Sequence, residues 1–294
     1  MTQYDPASLV SSVPVLPAAA FKALELLEPR STANFRDLEE AIKLDPALTS
    51  RFLRVANSAM YAQRSKVESL QTAISLLGFS MAKNLVLLVA ASSSFDPGAS
   101  DPFFTRFWRS SLRTAFYARY LAETTPHGEH ADRLFTAGIL YYMGTIGLHR
   151  ADPAAFAAAE KRGGEDLQAF LDAERETFGL DHRAVCGSLL KGWNLPALYV
   201  DIALEYGSPQ VSSRYKQLVL LFSLAESLSR RASPDALPRE TLALAAAIPM
   251  GRDRLAPLKA EFERRLSKDP FAAQCGLILG SGATLYEGNR NLAS

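Results

Sequence analysis

Apolar positions recur at helical spacing along almost the whole chain, and strand-like alternation is hard to find. Phe21, Leu24 and Leu27 form a first stripe that opens near Pro17 and stops at Pro29. Phe35, Leu38 and Ile42 form the next, after Asn34, a side chain suited to capping a helix start. Asp45-Pro46 reads as a cap followed by a first helical residue, and Leu48, Phe52 and Val55 carry that helix to Asn57. Ser69 opens a short helix with Leu70, Ala73, Ile74 and Leu77, which Gly78 closes. Ser80 opens a fifth, with Met81, Leu85 and Leu88 inside.

The segment 96–102, with two Asp-Pro pairs and a glycine, is the clearest linker. A long helix follows with Phe104, Trp108, Leu112 and Ala115 on one face, broken at 124–129 by Pro126 and Gly128. Residues 134–148 read as one apolar helix. Asp152-Pro153 starts another that Gly163-Gly164 ends, and 166–178 is amphipathic up to Gly179. Further helices are expected at 181–191, 196–206, 212–231, 239–247, 252–266 and 270–286. The pattern therefore predicts an all-α chain divided into residues 1–98, 102–232 and a C-terminal helical extension, 233–294.

Composition narrows the functional classes. The chain has 294 residues, 48% hydrophobic and 21% charged, which is globular rather than disordered. Its net charge is +1, from 32 basic and 31 acidic side chains, which disfavours nucleic acid as a partner. Arg51, Arg54, Arg64, Lys66 and Lys83 make the first half locally basic, which reads as a solvated face, with a nucleotide or acidic-partner surface as the alternative. Cys186 and Cys275 make neither a disulfide framework nor a zinc pair, so reduced, buried thiols and a cytoplasmic location are expected. The N-terminus lacks the pattern of a secretory signal, and the longest apolar run, 85–91, is too short to span a membrane.

Several chemistries are missing. There is no phosphate-binding glycine loop and no dinucleotide fingerprint, and residues 276–282 (GLILGSG) read as a helix end. No nucleophile elbow occurs. Histidine is scarce: His127, His130, His149 and His182 only. His127 and His130 sit in a polar loop and read as solvated, with a weak metal clip as the alternative. His149 is placed to favour the C-terminal end of a helix.

Residues 45–89 closely resemble the opening half of an HDOD domain (HD-related output domain). The matching features are Asp45-Pro46, Leu48 and Leu53, Asn57-Ser58-Ala59 with Tyr61, Ser69, Ala73-Ile74, Leu77-Gly78 and Asn84-Leu85, with Leu16-Pro17 upstream. A looser likeness runs to about residue 231. It implies an N-terminal five-helix bundle packed on an HD-like helical bundle, with additional C-terminal helices. In catalytic HD phosphohydrolases, histidines and aspartates on successive helices hold metal ions that activate water. The resemblance places the first ligand histidine at Ser110 and the His-Asp pair at Tyr141-Tyr142. It retains a histidine at His182, puts the next histidine pair near Glu205-Tyr206 and turns a final aspartate into Glu226.

Neutral phenols do not replace imidazole or carboxylate, and a catalytic ion needs three or more placed ligands. No catalytic residue, metal or cofactor is therefore expected. Tyr141 and Tyr142 either pack as core aromatics or line a vestigial pocket reused for a ligand. His182 reads as a satisfied histidine at a helix start, with a ligand role as the alternative. Asn57-Ser58 reads as a helix terminus bonding local backbone, or as a docking edge.

The resemblance implies a non-catalytic bacterial signalling module that contacts other signalling proteins, of receiver, diguanylate cyclase or phosphodiesterase type. No such domain is recognised in these residues, so the partner is expected on a separate chain. The competing expectations are a residual phosphohydrolase using His182, Glu205 and Glu226 on a borrowed metal and, less favoured by the charge balance, a nucleic-acid-binding regulator.

Overall fold

A computed structural model describes residues 4–26, 34–43, 46–57, 66–95, 101–230, 239–248, 250–269, 271–273 and 275, without the side chains of Pro46, Ala47, Ser93 and Arg252. Every regular element among the described residues is helical. The chain opens with α1 (Pro6–Ser11), a helix the apolar spacing did not predict. Asp5 caps it by accepting the N–H groups of Ala7 and Ser8, and Pro6 stands in its first turn.

The five helices expected next are present as α2 (Ala18–Leu26), α3 (Phe35–Lys43), α4 (Pro46–Ala56), α5 (Leu70–Leu77) and α6 (Phe79–Phe95). With the start of α7 (Pro102–Glu123) they belong to a compact unit, residues 15–109 and 266–294. α6 lies at its centre and packs on α2, α3, α4 and α5. That position explains its sequence: Leu85 to Ala91 are each 1% exposed or less, so the helix is apolar on every side. Gly78, at φ +82°, turns the chain between α5 and α6 through 111°. Asn57 ends α4 by bonding both polar groups of Val67, donating to its carbonyl and accepting its N–H, each at 2.7 Å. No single described helix is long and apolar enough to cross a membrane.

The second compact unit is discontinuous: residues 1–14 and 110–265. It contains α1, the rest of α7, α8 (Ala131–Leu140), α9 (Gly144–Ala151), α10 (Pro153–Gly163), α11 (Leu167–Phe178), α12 (His182–Gly192), α13 (Ala197–Glu205), α14 (Lys216–Arg230), α15 (Arg239–Ala247) and α16 (Leu255–Leu266). Asp152, Asp166 and Asp181 cap α10, α11 and α12 through bonds of 2.9 Å to the third N–H beyond each. α1 packs on α9 and α12 and buries Leu9 completely. α16 is tied to α7 by Arg113 and Glu263 at 2.6 Å and by the Tyr117 hydroxyl, 2.7 Å from the same carboxylate. Lys259 donates to the Leu228 carbonyl of α14 at 2.8 Å.

The single helix expected over 134–148 is instead two, α8 and α9, parted at Tyr141, Tyr142 and Met143. Backbone angles stay in the helical region at Tyr141 and Met143. What changes is the hydrogen bonding. Met143, Thr145 and Ile146 bond back three residues rather than four, at 3.1–3.2 Å. Apolar spacing cannot register that switch. Gly144 explains the place of the break: a Cβ there would lie 1.9 Å from the His182 carbonyl oxygen, so only glycine lets α9 approach the start of α12.

Candidate functional site

The α8–α9 break presents Tyr141 and Tyr142 to helices α7, α12, α13 and α14. The Tyr141 ring lies 5.4 Å from Tyr142 and meets Tyr206 and Phe222 edge-on at 5.0 and 5.2 Å. Its hydroxyl is 3.2 Å from the Thr114 hydroxyl, which is 2.8 Å from that of Ser229. Ser229 closes the series by donating to the Glu226 carbonyl at 2.9 Å.

His182 stands at the first position of α12 and is fully buried. Its Nδ1 lies 2.6 Å from Oε2 of Glu174 on α11, and its backbone N–H donates to the same oxygen at 3.0 Å. With Nδ1–H donated to the carboxylate, Nε2 accepts the Tyr206 hydroxyl. Tyr142 and Phe170 flank the imidazole at 5.2 and 5.4 Å. Glu174 is also fully buried, and its Oε1 has no hydrogen-bond partner among the described residues. Tyr206, the C-cap of α13, accepts Arg183 at its carbonyl at 2.8 Å.

Glu226 is buried on α14 and faces its own cation one turn on. Arg230 Nε lies 3.1 Å from one carboxylate oxygen, and an Arg230 terminal nitrogen donates to the other at 3.2 Å. Burial disfavours the guanidinium's charge, but Glu226 and the neighbouring phenols hold its pKa above the ordinary value. The three phenols shift upward as well. Burial is the largest cause for each, followed by Glu226 for Tyr141 and Tyr206 and by Tyr141 for Tyr142. All three are neutral at pH 7.

Residues 13–209 match the family model of the HDOD domain, two thirds of the chain. The chain belongs to the HDOD family. A protein of Treponema pallidum (strain Nichols) with no assigned role is 22% identical over 227 residues, 76% of this chain. The HDOD chain spans 43% of that relative's length. Among solved structures it is similar to a proposed signal transduction protein from Marinobacter aquaeolei VT8, with a TM-score of 0.75 and 22% identity, over 95% of this chain and 62% of that one. It is also similar to an HDOD domain protein from Geobacter sulfurreducens (TM-score 0.69, 19% identity, 92% and 98% of the two chains). A third likeness is to a proposed phosphohydrolase from Shewanella amazonensis SB2B (TM-score 0.68, 21% identity, 93% and 97%). These structures share the helical fold.

The donors in this cluster do not suit a metal ion. His182 Nε2 accepts the Tyr206 hydroxyl, and the Glu226 carboxylate is paired with Arg230. No group of three histidine, cysteine or acidic side chains able to hold a metal occurs among the described residues.

The structure gathers Tyr141, Tyr142, His182, Tyr206 and Glu226, and sets Ser110 and Glu205 apart from them. Ser110 is exposed on α7. Thr114 reaches the cluster in its place, about 6 Å further along the helix at 1.5 Å per residue. Glu205 turns away and accepts the N–H and hydroxyl of Ser212 at 2.7 and 2.9 Å, which ties down the loop after α13. Of the HDOD motif, Asn57 and Gly78 shape the backbone as described above. Asp45, Ser58 and Tyr61, and the Pro46 side chain, lie outside the described residues. Glu174, Thr114, Ser229 and Arg230 were not singled out in the sequence. Only Arg230 left a signal there, a basic residue four positions after Glu226.

Proposed function

We propose that this HDOD protein is a non-catalytic signalling module that acts by docking to other signalling proteins. The observation that carries the reading is that two side chains the resemblance sets at metal-ligand positions already have partners. Tyr206 bonds Nε2 of His182, and Arg230 pairs with Glu226. A dication would have to displace a resident guanidinium and break a buried hydrogen bond, and it would still lack a third ligand. The names of the Marinobacter and Geobacter proteins accord with a signalling context. The partners proposed are proteins with receiver, diguanylate cyclase or phosphodiesterase type domains.

The test has two arms. Purified protein is analysed for bound manganese, iron, nickel and zinc, then assayed with each metal against phosphodiesters and nucleoside phosphates. Less than stoichiometric metal and no turnover above the metal blank are expected. Stoichiometric metal with hydrolysis lost in His182→Ala would replace this reading with the phosphohydrolase one. In the second arm, crosslinking in the native cell is expected to capture a protein of the partner types named. Steep salt-dependent binding to DNA or RNA would favour a nucleic-acid regulator instead.

A further inference from the structure

We propose that a second concave site, in the unit formed by residues 1–14 and 110–265, binds a small organic anion: a phosphate or carboxylate attached to an apolar body. The cavity measures about 280 Å3 and lies between the loop after α7, the start of α14 and residues Ile248, Met250, Arg254 and Leu258. Sites for small molecules occupy roughly 300–1,000 Å3, so the occupant is compact.

Ile248, Met250 and Leu258 give the cavity its apolar wall, and His127, Gln217 and Arg254 its polar one. The threonine hydroxyls at the rim are already committed. Thr124 donates to the Leu121 carbonyl at 3.1 Å and Thr125 to that of Ala122 at 3.0 Å. By contrast, the His127 imidazole, the Gln217 amide and the Arg254 guanidinium make no hydrogen bond or ion pair among the described residues. Glu129 is not among the lining residues; its carboxylate is exposed and lies 3.6 Å from Nε2 of His130, whose pKa burial lowers.

Among the described residues no carboxylate lines the cavity, and the permanent charge of Arg254 stands exposed at its mouth, open to an incoming anion. A guanidinium with an amide and an imidazole beside it matches the oxygens of a phosphate or carboxylate. The apolar wall requires a ligand that buries carbon, which a bare inorganic ion does not do. The cavity shares no residue with the cluster at the α8–α9 break, so this inference does not rest on the docking role.

The full chain is titrated by calorimetry with phenyl phosphate, benzoate, inorganic phosphate and phenol. Phenyl phosphate or benzoate is expected to bind at least about tenfold more tightly than inorganic phosphate and phenol, and the better of the two identifies the anion. Arg254→Ala removes a charge-assisted contact and is expected to weaken that binding about tenfold. Leu258→Glu, which sets a like charge against the ligand, is expected to abolish it. Circular dichroism checks that both variants fold. No binding by either organic anion overturns the proposal, as does equal binding of all four probes or affinity unchanged in both variants.

Discussion

At the residue scale, the site is a set of neutral phenols around one satisfied imidazole. Tyr141, Tyr206 and Tyr117 are buried and have pKa values above the ordinary phenol value of 10. In the unfolded chain they ionise near pH 10, whereas in the folded chain they hold their protons to higher pH. The unfolded state therefore binds fewer protons above pH 10, and folding stability falls there. Each such group contributes a slope of about 1.4 kcal/mol per pH unit. Urea unfolding from pH 7 to 11 is expected to show this alkaline loss, with phenolate absorbance of these residues appearing only as the chain unfolds. Tyr206→Phe should reduce the slope and, by leaving His182 Nε2 buried without a donor, cost about 1–3 kcal/mol at neutral pH. The tyrosines and His182 were legible from the family pattern. Their partners Glu174 and Thr114 were not, because each is brought in by a separate helix whose rotation the sequence does not state.

At the element scale, most helices could be read from capping residues and apolar stripes. α2 to α6 and α10 to α15 stand close to their expected places, because proline, glycine and Asp-Pro signals bracket them. Two elements escaped. α1 is opened by Asp5-Pro6, the same signal that marked α4 and α10, but it is too short to show a stripe. The α8–α9 break kept helical angles and apolar spacing through Tyr141 to Met143, so periodicity ran straight across it. Gly144 marks its place in the structure, since a Cβ added there would fall 1.9 Å from the His182 carbonyl oxygen. Gly144→Ala must push α9 from α12, and a loss of about 1–3 kcal/mol or more is expected from overpacking. Chemical denaturation measures it. Gly164→Ala, where no atom lies within 4 Å but φ is +57°, separates backbone strain from the clash.

At the scale of the whole molecule, units of packing do not follow units of sequence. Linker composition suggested boundaries at 98 and 232, whereas packing joins residues 1–14 to 110–265. Composition marks where a chain is free to turn, and burial records what it turns back onto. Leu9 makes the point: it is fully buried, and beside it the Ser12 carbonyl accepts Arg150 at 3.1 Å while Tyr4 donates to Asp152 at 2.9 Å. Leu9→Ala is expected to cost about 2–5 kcal/mol, with protection from hydrogen exchange falling in α9 and α12, more than 130 residues away in sequence. The same arrangement bears on how this protein is divided for study. A fragment cut at residue 102 would carry α9 and α12 with the seat of Leu9 empty. Loss of any binding by such a piece would report a damaged fold, and a linker joining residues 1–14 directly to residue 110 would give the fairer isolated half.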